Sequence, residues 1–438
     1  MKKRNYISCL IFMMPVMLAA QDTLTLQQAV AAALEKNYSI IIARNDSEIA
    51  ANNNTLGNAG FLPVISSDVT KTTNYNTLKQ VYYSGLVREG KDVKADLLNA
   101  KVLMNWTLFD GFGMFIAKEK LNDLEKIGEV QMKLTIENTL AKVINTYYAI
   151  VQQEKLIALY RDAMSLSEER MALAEKKVLL GAGSELSMLQ SKVDRNADSA
   201  RLLQQISLQN QTKADLNNLT GQEPAALFAV QKEIPLKEKI QYADILAKVT
   251  AQNPEILIAQ LNYDMAEQSI KQTRSVLYPN INAFGGYNFS KQETSVGYMI
   301  YGKTNAPTYG LTATFTIFDG MTRSLAVQNA KIQYRSAEAS FKQKELNITT
   351  LLYKIYCDYS AASELLSLES SNLQVAKQNL DIAVEKYKLG MISDIELRAT
   401  QQKMLDAEND LLTAQYRAKQ DEIEMLRLSG ELMNEIVK

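Results

Sequence analysis

After Pro63, and again after Pro279, the chain changes from a helical pattern to two-residue alternation. Tyr309, Leu311, Ala313, Phe315 and Ile317 fall on one side, with Thr312, Thr314 and Thr316 on the other. In the earlier stretch Val102, Met104, Trp106 and Leu108 alternate with Lys101, Leu103, Asn105 and Thr107. Period two with one apolar and one polar face predicts strands lying between two different solvents. Lengths of about 9–11 residues suit the wall of a membrane barrel.

A second periodicity follows each strand pair. Leu352, Tyr359, Leu366, Leu373, Leu380 and Tyr387 recur every seven residues. Val143, Ile150, Ile157, Met164, Met171 and Val178 do the same earlier in the chain. Six heptads in phase predict coiled-coil packing of very long helices. From Thr322 to Leu389 such a helix would reach about 100 Å at 1.5 Å per residue. The return from Glu185 to Leu219 covers about half that distance, so a second short helix must complete it.

The two patterns belong to a duplication. Asn37 and Asn253, like Pro63 and Pro279, are 216 residues apart. Phe109-Asp110-Gly111 matches Phe318-Asp319-Gly320 at a spacing of 209, as do Tyr147 with Tyr356, Gly181 with Gly390 and Gly221 with Gly430. A register held over that length marks an internal repeat.

The resulting organisation is a signal peptide at 1–20, a first repeat at 21–221, a linker at 222–240 and a second repeat at 241–438. The first repeat holds a helix, a strand pair at 64–75 and 98–109, a long helix at 113–180 and a short helix at 185–220. The second holds a helix at 242–276, strands at 280–290 and 308–318, a long helix at 322–389 and a short helix at 394–432. Lys2, Lys3 and Arg4 precede an apolar stretch from Ile7 to Leu18, and Ala19-Ala20 offers a cleavage point before Gln21. The fold class is mainly α with a small β part, four strands per copy. Four strands cannot close a barrel, and two copies would give a filled one, whereas three leave a lumen.

Composition then removes whole classes of function. There is no histidine, so His-based triads and most zinc sites are excluded. Cys9 lies in the leader, which leaves Cys357 and no disulfide framework. A net charge of −1 gives no reason to expect nucleic acid as a partner. Asp110 and Asp319 are carboxylates in repeated turns, a position that suits hydrogen bonds to turn amides better than catalysis. We expect no enzyme and no cofactor.

The signal peptide, the duplicated unit, its two strand pairs and the Tyr387-Lys388-Leu389-Gly390 helix end resemble the outer-membrane efflux protein family (TolC-like). The similarity runs from Leu26 to Leu432. It implies a homotrimer with a twelve-stranded outer-membrane barrel in lipid, over a periplasmic α-helical tunnel. The partners it implies are a periplasmic adaptor and an inner-membrane pump, as in tripartite efflux or type I secretion. The alternative is a periplasmic coiled-coil adaptor or structural protein without a barrel. Family members close the tunnel at the turns, here Gly181, Gly183 and Gly390. Tyr387 matches the gate tyrosine and Glu396 an acidic ring. Ser187 stands where a further acid is expected, and Arg398 has Glu396 and Asp394 as candidate partners.

Overall fold

The computed structural model describes residues 23–231, 233–236, 240–295 and 299–436. The expected signal peptide lies outside them. Two compact units emerge. One comprises the described residues up to Ile41 with Ile136–Ile245 and those from Leu352 on; the other comprises Ile42–Thr135 and Leu246–Leu351.

The second of these carries the sheet. Its strands are β2 (Val64–Val81), β3 (Val87–Phe109), β5 (Asn280–Thr294) and β6 (Tyr301–Thr314), antiparallel in the order β2-β3-β5-β6. Residues directly opposite in an antiparallel pair share a face, so the register assigns every side chain. Val102, Tyr287 and Pro307 share one face with Trp106, Ala283 and Leu311. Asn105, Thr107, Asn282 and Thr312 share the other. On that polar face Thr107 Oγ1 donates to Asn282 Oδ1 at 3.0 Å and Ser290 Oγ to Asn99 Oδ1 at 2.7 Å.

Strand limits differ from the expected ones in three ways. The first hairpin is longer, because Val87–Val93 continue the ladder with Asn76–Val81. Those residues are too polar and charged to show alternation, yet backbone hydrogen bonds need no apolar face. A bulge between Thr107 and Phe109 leaves Leu108 unpaired and puts Phe109 on the Trp106 side. Finally, β6 begins at Tyr301 and ends at Thr314, so Phe315 and Ile317 lie beyond it. The Thr316 carbonyl accepts from the Arg323 guanidinium at 3.3 Å, and Asp319 accepts from the Arg323 amide at 3.1 Å. Those bonds start the next helix in place of a longer strand.

The expected single helix at 242–276 is two, α5 (Tyr242–Gln252) and α6 (Pro254–Ser275). Pro254 cannot donate within a helix, and Asn253 caps the new start by accepting from Glu255 N and Ile256 N. The N-terminal segment breaks at the repeat-related Asn37 into α1 (Leu26–Lys36) and α2 (Tyr38–Asn53), with Asn37 Oδ1 accepting from Ser39 N. The long helices are α3 (Gly113–Leu179) and α7 (Thr322–Lys388), each returning through a glycine turn into α4 (Glu185–Leu219) and α8 (Asp394–Ser429). Gly181 (φ 71°) and Gly390 (φ 73°) adopt the left-handed backbone these reversals require. A short α9 (Leu432–Ile436) follows.

The linker is not plain coil. Its β4 (Ala229–Val230) pairs in parallel with β1 (Thr23–Leu24). Ala29 and Val30 of α1, Leu140 to Val151 of α3, Val230 of the linker and Leu432 of α9 close one apolar core there.

Candidate functional site

Within the first unit, α3, α4, α7 and α8 form a bundle behind the two glycine turns. Its apolar part is conventional: Leu380, Ala383, Tyr387 and Leu397 cluster with Leu166 and Leu173. The polar part is not. Arg170 of α3 is 2% exposed, and its guanidinium grips Asp394 of α8 with two bonds, Nε at 3.0 Å and Nη2 at 2.8 Å. Asp194 of α4 lies 3.2 Å from the same Nη2. A second grip joins α8 to α4, where Arg398 donates to both oxygens of Asp198 at 2.6 and 2.8 Å. Asp198 also accepts from Ser167. Gln401, fully buried, links the two: its Oε1 accepts from Arg170 at 3.3 Å and Arg398 at 3.2 Å, while its amide donates to Ala163 O at 3.1 Å.

Bidentate arginine–carboxylate pairs fix direction as well as distance. Buried ones gain little net stability over apolar packing, yet losing one partner is costly. Such a cluster therefore holds three helices, α3, α4 and α8, in one arrangement and penalises any partial opening. Tyr387 is buried beside it with Lys177 Nζ 4.5 Å above its ring. Burial pushes the Tyr387 phenol up, and the Asp394 carboxylate adds to the effect while Arg170 opposes it.

The site residues expected from sequence divide accordingly. Tyr387, Asp394 and Arg398 belong to this cluster, but Arg398 takes Asp198, and Asp394 belongs to Arg170. Glu396 stands apart and exposed, in a capping box with Ser393. Hydrogen bonds from the Ser393 amide and hydroxyl hold its carboxyl below the usual range. Ser187 contributes its carbonyl, which accepts from Ser191 Oγ at 2.9 Å. Sequence reading missed Arg170, Asp194, Asp198 and Gln401. Their signal was present as polar residues interrupting apolar rows, Arg170 between Leu166 and Leu173 and Gln401 between Leu397 and Leu405. Among the described residues no carboxylate or cysteine group could hold a metal ion, and no helix is long and apolar enough to cross a membrane.

Residues 245–431 match the family model described as outer membrane efflux protein. Protein CyaE of Bordetella pertussis is 20% identical over 337 residues, 76% of this chain and 70% of that protein. Outer membrane protein TolC of Vibrio cholerae is 18% identical over 328 residues, 74% of each. The crystal structure of the Vibrio cholerae outer membrane protein VceC shares the fold, with a TM-score of 0.76 and 16% identity across 92% of this chain and 96% of that one.

Proposed function

The chain belongs to the outer membrane efflux proteins, and from that premise we propose that three copies form one passive conduit, gated at the glycine turns. It is an outer-membrane channel subunit with most of its length in the periplasm, and not an enzyme. The observation that carries the three-copy reading is the open sheet. Four strands leave β2 and β6 as unpaired edges, and a long bare edge is unstable in lipid. Pairing β6 of one copy with β2 of the next closes twelve strands around a lumen. Native mass measurement of the detergent-extracted particle tests it: a threefold mass is expected, and a monomer overturns the reading. A periplasmic adaptor and an inner-membrane pump would meet the helical end, as in tripartite efflux or type I secretion.

In that barrel the face bearing Val102, Tyr287 and Pro307 meets lipid, and the face bearing Asn105 and Asn288 meets water. Val102→Arg is expected to cost about 2–4 kcal/mol near the bilayer midplane, while Asn288→Arg stays close to neutral. Unfolding titrations in lipid compare the two; equal tolerance would reverse the assignment.

At the turns, three copies of Glu396 place three carboxylates around a narrow mouth. Like charges at close range raise local cation concentration. Glutamine still completes a capping box, so Glu396→Gln should leave folding intact and lower cation preference in single-channel recordings. Unchanged selectivity would remove Glu396 from the mouth.

A further inference from the structure

The lipid-facing side of the sheet changes character once along its height. On β5 it runs through Ile281, Ala283, Tyr287 and Phe289, and on β6 through Leu311, Tyr309 and Pro307. Beyond Phe289 and its neighbour Asn305 the same face reads Lys71 on β2, Leu98 on β3, Lys291 on β5 and Lys303 on β6, each directly opposite the next. Three lysines therefore stand in one level row. Helices α3 and α7 leave past the other strand ends, Phe109 and Thr314, so the row lies toward the hairpins and away from the periplasm. From Ile281 to Lys291 the strand rises about 34 Å, or about 26 Å along the axis of a barrel whose strands tilt by about 40°. The outward apolar band of such barrels is about 25 Å tall. The row falls at the outer limit of the hydrocarbon, the level at which lipid headgroups carry their phosphates.

The charges around the row do not cancel. Glu293 pairs with Lys291 at 2.7 Å and Asp96 with Lys94 at 2.8 Å, both on this same face. Those carboxylates are thereby taken, and among the described residues Lys71 and Lys303 make no ion pair. Lys303 Nζ instead stands 5.6 Å over the Phe289 ring, and Lys291 Nζ 5.8 Å over Tyr301. Lys291 and Lys303 are direct cross-strand neighbours, and like charges so placed disfavour the sheet. An anion bridging them would turn that repulsion into two attractions. The polar face shows the contrast: there Lys101 faces Asp68 directly across the ladder, 3.8 Å away. Cations above aromatic rings, at the rim of an apolar band, suit an amphiphile with acyl chains below and phosphate above.

We propose that Lys71, Lys291 and Lys303 form a binding site for the phosphate groups of an outer-leaflet lipid. The inference rests on the three-copy barrel above, and the ligand is lipid-borne phosphate, not the free ion. The test adds lipid A, an acylated disaccharide with two phosphates, to the full-length protein in neutral detergent. Native mass spectrometry then counts the lipid retained on the particle. The parent protein should hold lipid A and release its dephosphorylated form. Lys71→Gln, Lys291→Gln and Lys303→Gln together should weaken retention about 100-fold, and Lys303→Gln alone about fivefold. Lys101→Gln, on the lumen face, should change nothing. Equal retention of the two lipids by the parent overturns the proposal and leaves the lysines marking only the water boundary. A triple variant that binds lipid A like the parent overturns it too; should that variant not assemble, the two-lipid comparison on the parent decides. Displacement by excess inorganic phosphate would make the row a site for the free ion and overturn the lipid assignment. In all these outcomes a threefold mass leaves the three-copy reading standing, whereas a monomeric mass overturns both.

Discussion

Replacing Asp394 by Ala should loosen the bundle behind the glycine turns by about 3–5 kcal/mol, the usual cost of stranding one partner of a buried ion pair. The reason lies in what remains. Arg170, 2% exposed, would keep its charge with only Asp194 beside it at 3.2 Å and Gln401 at 3.3 Å. The Tyr387 phenol would also lose the carboxylate next to it. Because Arg170 is on α3 and Asp394 on α8, the loss falls on the contact between the two hairpins, not on either hairpin alone. In planar bilayers the variant should show a higher and noisier resting conductance than the parent protein. Exchanging the charges, with Arg170→Asp and Asp394→Arg together, should recover part of the closed state. If Asp394→Ala leaves conductance unchanged, the cluster is structural and the gate lies elsewhere. Tyr387→Ala supplies an independent reading, since it removes packing without removing the ion pair.

The second large effect is expected at Tyr147. Its ring is 1% exposed, and its hydroxyl donates to Leu24 O at 3.0 Å and accepts from Gln231 N at 3.2 Å. One side chain on α3 thereby ties the N-terminal strand to the linker, inside the core that also holds Ile423 and Leu432. Tyr147→Ala should cost about 3–5 kcal/mol through the cavity and the lost contacts. Tyr147→Phe keeps the ring and should cost about 0.5–1.5 kcal/mol, because two part-buried hydrogen bonds to backbone groups are lost. The repeat-related Tyr356 is only half-buried, with its ring 5.2 Å from that of Tyr242. Tyr356→Ala should therefore cost clearly less. Denaturant titration followed by helix signal compares all three; equal losses at Tyr147 and Tyr356 would mean that the hydroxyl and the core add nothing.

That difference between Tyr147 and Tyr356 marks the boundary of what the duplication could reveal. Repeats at spacings of 209 and 216 identify equivalent positions, and backbone conformation follows them closely. Gly111 and Gly320, Gly181 and Gly390, and Gly221 and Gly430 all adopt positive φ in pairs. Surroundings do not follow. Gln153 Nε2 donates to Thr212 Oγ1 at 3.0 Å in the first repeat. The equivalent pair in the second is Ala362 and Asp421, which line an open groove of about 560 Å³ between α7 and α8. Burial there pushes the Asp421 carboxyl up to about 6, with Asp358 adding to the shift.

By itself the sequence determined the strands where alternation was strong, the long helices, their glycine reversals and the family resemblance. Each of these depends on local backbone preference or on a period that one chain segment carries alone. Strand ends and the partners of Arg170 and Arg398 were decided only in three dimensions, whereas the breaks at Asn37 and Asn253 are local, set by asparagine caps and by Pro254. A strand continues wherever a neighbour offers backbone groups, whatever its side chains. An ion pair between residues 224 apart, as for Arg170 and Asp394, depends on how two hairpins wind around each other, because a small rotation of either helix would give the arginine a different carboxylate.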